Sequence, residues 1–226
     1  MCGRFVAASD PDGLVKFFIV DDRIAEERPP SWNVAPTASV LAVVEHEQRR
    51  LLVSFRWGLV PSWASDAKVG NRMINARAET LADKPAYREA FARRRCLIPA
   101  DGFYEWQRAD DGSRLPFLAV ARDGQPLALA GLWSTWRPTT DDQPLRTCTI
   151  VTTRANDDVA HLHDRMPVVL PAERWDSWLD RSVRDTAHLQ HLLTPPAPGL
   201  LALRPVSTAV NDVRNDHAGL VDAVAR

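Results

Sequence analysis

The stretch Cys96-Leu97-Ile98-Pro99-Ala100-Asp101-Gly102-Phe103-Tyr104-Glu105-Trp106-Gln107 decides the fold class. Its apolar and aromatic residues come in two short runs, Cys96 to Pro99 and Phe103 to Gln107, parted by Asp101-Gly102. Runs of this length, bounded by turn residues, read as strands rather than helices. Two more follow at once, Phe117 to Arg122 and Leu127 to Trp133, with Asp110-Asp111-Gly112 and Asp123-Gly124 as the turns. Upstream, Val40 to His46 and Leu51 to Trp57 form a further pair around the charged turn Glu45 to Arg50. Downstream come the β-branched run Thr147 to Thr153, a short strand at Val168 to Leu170, and a last strand from Leu201 to Val206 before a polar tail. Helical patterns are few: Asp12 to Val20, Pro85 to Arg94, Pro171 to Leu179 and Arg184 to Leu193. Strands joined by tight turns, with helices inserted between them, predict an antiparallel-rich α+β domain.

Composition bounds the function. With 226 residues, 45% hydrophobic and 25% charged, the chain suits one domain with its own core, and neither an internal repeat nor a linker divides it. A net charge of −1 gives no global basic field, although 28 Lys and Arg leave room for a local one. Cys2, Cys96 and Cys148 make neither a disulfide framework nor a CxxC metal motif. The expectation is a soluble cytoplasmic protein without membrane segment, metal or cofactor, and with nothing that demands more than a monomer.

Chemistry concentrates in five places. Removal of Met1 would leave Cys2 with an α-amine and a thiol on neighbouring carbons. That pair condenses with an aldehyde to an imine and closes to a thiazolidine; alternatively the amine serves as base for thiol attack on a carbonyl. Trp57-Gly58-Leu59-Val60-Pro61-Ser62-Trp63 sets two tryptophans around a bend, as core filler or as platforms for nucleobases. Asn75 and Arg77 project from one face if Ile74 to Ala78 is extended, suiting an anionic or carbonyl ligand, unless Arg77 pairs with Glu79. Glu105, between Tyr104 and Trp106, is a general acid or base if buried and a solvated side chain if not. In His161-Leu162-His163-Asp164-Arg165-Met166-Pro167, His163 is an acid/base candidate; the two histidines lack a spaced third ligand for zinc.

Together and in order, Met1-Cys2-Gly3-Arg4, Asn33-Val34-Ala35-Pro36, Trp57-Gly58-Leu59-Val60-Pro61, Asn75-Ala76-Arg77-Ala78-Glu79-Thr80, Gly102-Phe103-Tyr104-Glu105-Trp106 and His163-Asp164-Arg165-Met166-Pro167 resemble the SRAP (SOS-response-associated peptidase) family, from Cys2 to about Val210. The resemblance implies one domain over residues 2–226, with Met1 removed and the last dozen or so residues a tail. It implies a mainly antiparallel, barrel-like β core with peripheral helices. It further implies a sensor and shield of abasic sites in single-stranded DNA, crosslinking the sugar aldehyde through Cys2 as a thiazolidine. Cys2, Asn75, Glu105 and His163 carry over as the catalytic residues. Arg4, Arg77 and Arg165 carry over as phosphate contacts, and Asn33, Pro36, Trp63, Trp106 and Thr152 as the nucleotide path. Two positions depart from some relatives: Ala64 follows Trp63 where a second tryptophan can stand, and Lys84-Pro85 stands where an arginine can. The alternatives are a class II glutamine amidotransferase, which also begins Met-Cys-Gly, a thiol peptidase using Cys2, and a plain single-stranded DNA binder.

Overall fold

The computed structural model describes residues 2–109, 111–138 and 143–225. Thirteen strands appear in chain order: β1 (Phe5–Ala7), β2 (Asp22–Arg23), β3 (Ser31–Val34), β4 (Ser39–His46), β5 (Arg49–Trp57), β6 (Asn75–Arg77), β7 (Arg95–Ala100), β8 (Gly102–Arg108), β9 (Arg114–Ala121), β10 (Leu127–Trp136), β11 (Leu145–Arg154), β12 (Arg165–Pro167) and β13 (Leu201–Pro205). The helices are α1 (Pro11–Phe17), α2 (Pro85–Arg93), α3 (Trp175–Leu179) and α4 (Thr186–Leu192).

Strands β11, β10, β7, β4 and β5 follow one another in antiparallel pairs, and β5 then meets β11 in parallel, closing the ring. Closure leaves these five strands without a free edge, and β2, β6 and β12 add to the ring's outer pairings. A second, antiparallel sheet runs β13-β9-β8-β1-β3. The chain passes from ring to second sheet at Asp101. Its backbone N–H donates to Val6 O at 2.8 Å, and its carboxylate accepts from the N–H groups of Ala8 and Ser9 at 2.6 and 2.8 Å. Gly102 is required at this corner, because a Cβ there would lie 2.6 Å from Ala119 O.

Strand periodicity assigns the side chains to three cores. Val40, Ala42, Val44, Cys96, Ile98, Cys148 and Ile150 point into a core shared with Phe5, Phe103 and Ala119 of the second sheet. Their alternates, Leu41, Val43, Leu97, Leu132 and Val151, pack under the helices with Phe91, Trp178 and Leu189. The far face of the second sheet, with Val6, Tyr104 and Leu118, is covered by Val206, Val210 and Leu220. Arg95 anchors α2 and α3 on the ring: its guanidinium is buried and donates to five carbonyls, those of Phe91, Ala92, Trp178, Asp180 and Val183. Desolvation lowers its pKa to about 10, so it remains charged at neutral pH.

Three local expectations are revised. The β4–β5 turn is a two-residue loop at Glu47-Gln48, both at positive φ (52° and 61°), the twist that suits a tight hairpin. The strand expected at Val168 to Leu170 forms instead at Arg165–Pro167. Val168 and Leu170 then hydrogen-bond alternately to β11 and β10, where the chain is squeezed between them. The expected polar tail folds back over the second sheet as two 3-10 turns, Thr208–Asn211 and Ala218–Val221, with Leu220 fully buried and Ala223 bridged to Val206. Among the described residues no helix is long and apolar enough to cross a membrane.

Candidate functional site at the junction of the two sheets

Register places the start of the chain. Phe5 pairs with Phe103, and Tyr104 N–H donates to Arg4 O at 3.0 Å, so each step back along β1 advances one residue along β8. Gly3 and Cys2 thus fall beside Glu105 and Trp106. On the other side, β6 lies against β11 with Asn75 opposite Ile150, and the Asn75 side-chain amide donates to Cys2 O at 2.7 Å. The turn between β11 and β12 brings in His163, whose N–H donates to Val159 O at 3.2 Å. The result is a cleft of about 720 Å³, with Gly3, Arg4, Glu105, Trp106, His163 and Asn211 among its walls, and Cys2, the neighbour of Gly3, is itself fully buried.

Burial governs the electrostatics here. Cys2 is fully buried, its thiol donating to Arg4 O at 3.8 Å. Desolvation, reinforced by the charge of Glu105, pushes the thiol well above its ordinary range, so it stays an S–H at neutral pH. Glu105 is 3% exposed. Desolvation raises its carboxyl, the positive charge at the amino terminus opposes this, and Asp164 adds a smaller upward push. His163 is pushed down, first by desolvation and then by the amino-terminal charge, with Asp164 opposing. Its Nδ1 has two competing partners, the Arg165 N–H at 2.9 Å and Asp164 Oδ1 at 2.8 Å. A neutral ring accepts from Arg165, whereas an imidazolium donates to Asp164; the downward shift favours the first, leaving the ring proton on Nε2.

The sequence-predicted residues separate into three groups. Cys2, Asn75, Glu105 and His163 converge with Arg4 and Trp106. Arg4 is held by Asn33 Oδ1 at 2.6 Å and Val210 O at 3.0 Å, and Trp106 Nε1 donates to Asn211 Oδ1 at 2.7 Å. A second group serves the scaffold. Asn33 is buried, and its amide donates to the carbonyls of Val210, Asp212 and Asn215, stapling the C-terminal segment. Thr152 is buried with its hydroxyl near Ala76 O at 3.5 Å, and Pro36 is half-buried in the loop before β4. Arg165 forks onto both oxygens of Glu79 at 2.6 and 2.8 Å and also reaches Thr152 O, so its two terminal nitrogens are bonded inside the protein. Glu79 therefore pairs with Arg165, not with Arg77.

The third group is the rim. Arg77 is exposed on β6 and has no ion pair among the described residues. The two tryptophans of the bend have different places. Trp57 is fully buried against Phe5, its Nε1 donating to Ile74 O at 2.9 Å, whereas Trp63 is 67% exposed. The loop carrying Trp63 is held where Trp136 Nε1 donates to Ala64 O, and where Gly58 and Gly70 touch so closely that a Cβ on either would meet the other's oxygen at 2.6 or 2.5 Å. Sequence reasoning missed Asn211, Arg108 and Arg114, which also line the cleft. The cross-strand pairing of the two arginines could be counted outward from Asp110-Asp111-Gly112; no local signal marks Asn211. Among the described residues, no three or more His, Cys, Asp or Glu side chains are grouped as metal ligands.

A family model described as SOS response associated peptidase (SRAP) matches residues 1–213. The abasic site processing protein YoqW of Bacillus subtilis (strain 168) is 41% identical over 224 residues, covering 99% of this chain and all of that protein. The abasic site processing protein HMCES of Gallus gallus is 32% identical over 256 residues, covering 96% of this chain and 76% of the relative. Among solved structures, a protein of Bacteroides thetaiotaomicron superposes with a TM-score of 0.85 at 21% identity over 99% of this chain and all of its own, a likeness of fold. A Bordetella bronchiseptica protein superposes with a TM-score of 0.76 at 26% identity over 91% of this chain and all of its own.

Proposed function

The chain belongs to the SRAP family, and from that premise we propose that it processes abasic sites in single-stranded DNA by capturing the sugar aldehyde on Cys2 once Met1 is removed. The observation that carries this reading is the clamp on Cys2: Asn75 grips its carbonyl at 2.7 Å, while Glu105 is buried beside it at a cleft open to solvent. An abasic sugar is a closed hemiacetal with little free aldehyde. Glu105, whose burial favours the protonated carboxyl, gives a proton to the ring oxygen while neutral His163 removes the hydroxyl proton, releasing the aldehyde. The α-amine adds to the carbonyl carbon and loses one water as the imine forms. The Cys2 sulfur then adds to the imine carbon, and the thiol proton passes to nitrogen, closing the thiazolidine. Protein and DNA are joined with the net loss of one water.

The protonated state of the thiol favours this order over a thiol-peptidase mechanism. A cysteine nucleophile attacking a peptide carbonyl works as a thiolate, and burial beside Glu105 opposes that form. An amine that leads, followed by a thiol that gives its proton to the nitrogen as the ring closes, needs no free thiolate. Arg4, Arg77, Trp63 and Trp106 are the proposed contacts to the strand, with Arg165, Thr152, Asn33 and Pro36 shaping its path from behind. Unpaired bases suit this surface, because Trp63 offers an exposed ring face on an irregular loop.

The test mixes mature protein with an oligonucleotide carrying one abasic site, followed by a denaturing gel and intact mass. The expected product is a denaturant-resistant adduct with the mass of protein plus DNA minus one water, absent with Cys2→Ala. Absence of an adduct, with Cys2 verified as the first residue, overturns the proposal.

A further inference from the structure

The cleft extends past the buried chemistry to the end of the β8–β9 hairpin, where Arg108 and Arg114 stand directly opposite each other. Two like charges in facing cross-strand positions repel, an arrangement that destabilises a hairpin unless an anion lies between them. Asp111, in the hairpin turn, accepts from Ser113 N–H at 2.8 Å. Asp212 is paired with Arg214 at 2.6 Å. Neither Arg108 nor Arg114 has an ion pair among the described residues, although both face the same cavity as Glu105 and His163.

Resting on the abasic-site reading above, we infer that Arg108 and Arg114 form a clamp for a backbone phosphate on one flank of the abasic sugar. Arg108 lies three residues beyond Glu105 on β8, roughly 10 Å along an extended strand. That is too far for contact with the sugar held at Cys2 but within reach of the next phosphate. Two guanidinium forks converging on one cavity suit a phosphodiester, whose oxygens accept several charge-assisted bonds at once. The clamp makes the protein sensitive to which flank of the lesion carries DNA. A strand with no nucleotide on the clamp's flank leaves the arginine pair unneutralised.

The experiment compares wild type with Arg108→Gln/Arg114→Gln and with Arg108→Lys/Arg114→Lys. The probes are three single-stranded oligonucleotides with the abasic site internal, near the 5′ end or near the 3′ end, each tested for binding and crosslinking across a salt series. Wild type is expected to favour the internal site and one of the two terminal ones. The glutamine variant is expected to lose that preference and to show a salt slope smaller by about 0.7, the loss of one neutralised phosphate on a single strand. The lysine variant, which keeps the charge, is expected to retain most of the slope; this result also shows that the hairpin tolerates substitution. A glutamine variant with unchanged salt slope and unchanged flank preference, while wild type crosslinks normally, overturns the clamp and leaves the abasic-site reading standing. Failure of wild type to bind or crosslink any of the three overturns both.

Discussion

The floor of the cleft and its rim are built on opposite principles. On the floor, Cys2, Asn75 and Glu105 sit at a seam between two sheets, held by hydrogen bonds and by burial in or beside the main core. At the exposed surface, Trp63, Arg77, Arg108 and Arg114 extend from a loop, a short strand and a hairpin end. Desolvation is what shifts proton affinities, so acid–base chemistry near neutral pH belongs on the floor. A charged polymer is met by mobile, solvated groups that can exchange water and counterions for phosphate, so recognition belongs at the rim. Arginine marks the contrast: Arg95 and Arg165 are bonded to carbonyls and to Glu79, while Arg77, Arg108 and Arg114 are exposed and have no ion pair among the described residues.

The largest expected effect tests the floor. Cys2→Ser keeps the amine but cannot form the sulfur-containing ring, and any residue retained ahead of Cys2 removes the free α-amine. Neither is expected to give a stable crosslink on a denaturing gel, and a normal yield from a protein with a blocked N-terminus would rule out the amine-led route. Next, Glu105→Gln should slow crosslinking by about 10²–10⁴-fold, the usual contribution of a positioned acid or base, with DNA affinity nearly unchanged. Parallel loss of rate and affinity would move Glu105 from chemistry to scaffold.

The rim gives smaller effects of another kind. Trp63→Ala is expected to cost about 1–3 kcal/mol of affinity for single strands, the usual worth of one stacked base, without altering the rate at saturating DNA. Arg77→Gln should lower the salt slope by about 0.7, whereas Arg165→Gln should act mainly on thermal stability, since it strands Glu79. Equal salt-slope losses for the two would erase the distinction between them.

The smallest effect concerns stability. Because the folded pKa of Glu105 is raised, its burial contributes stability that is intact below about pH 4.3 and lost as pH rises through the folded value. Glu105→Gln should therefore raise the Tm relative to wild type at neutral pH, and the gain should vanish near pH 4. A lower Tm at every pH would mean that the carboxylate is held by partners stronger than its desolvation.

Most strands were legible because alternation and turn residues are local properties. The run Cys96 to Trp133 yields β7 to β10 with ends shifted by only a few residues, and the glycine at the Asp101-Gly102 corner marks where the chain changes sheets. Less legible was β12, because a three-residue strand carries too little pattern to distinguish Arg165–Pro167 from the apolar residues that follow. The folded-back C-terminal segment gave no signal either. Its turns are too short to carry a pattern, and its hold on the protein comes from buried Val210 and Leu220, from Asn33, and from Ser31 and Trp32 meeting Asp216, well over a hundred residues away in sequence.

By itself, then, the order of residues determined the α+β class, the chemical capacity of Cys2 and the set of side chains able to assist it, because residue type and spacing fix which groups exist and which elements carry them. It could not tell Trp57 from Trp63, or Arg165 from Arg77, since each pair differs in what surrounds it rather than in what it is. Those choices were made by the closing of the ring and by the register of β1 on β8, which bury one member of each pair, or bind its donors, and leave the other facing water. Burial and the occupancy of hydrogen-bonding groups arise from contacts distant in sequence, and only the tertiary structure supplies them.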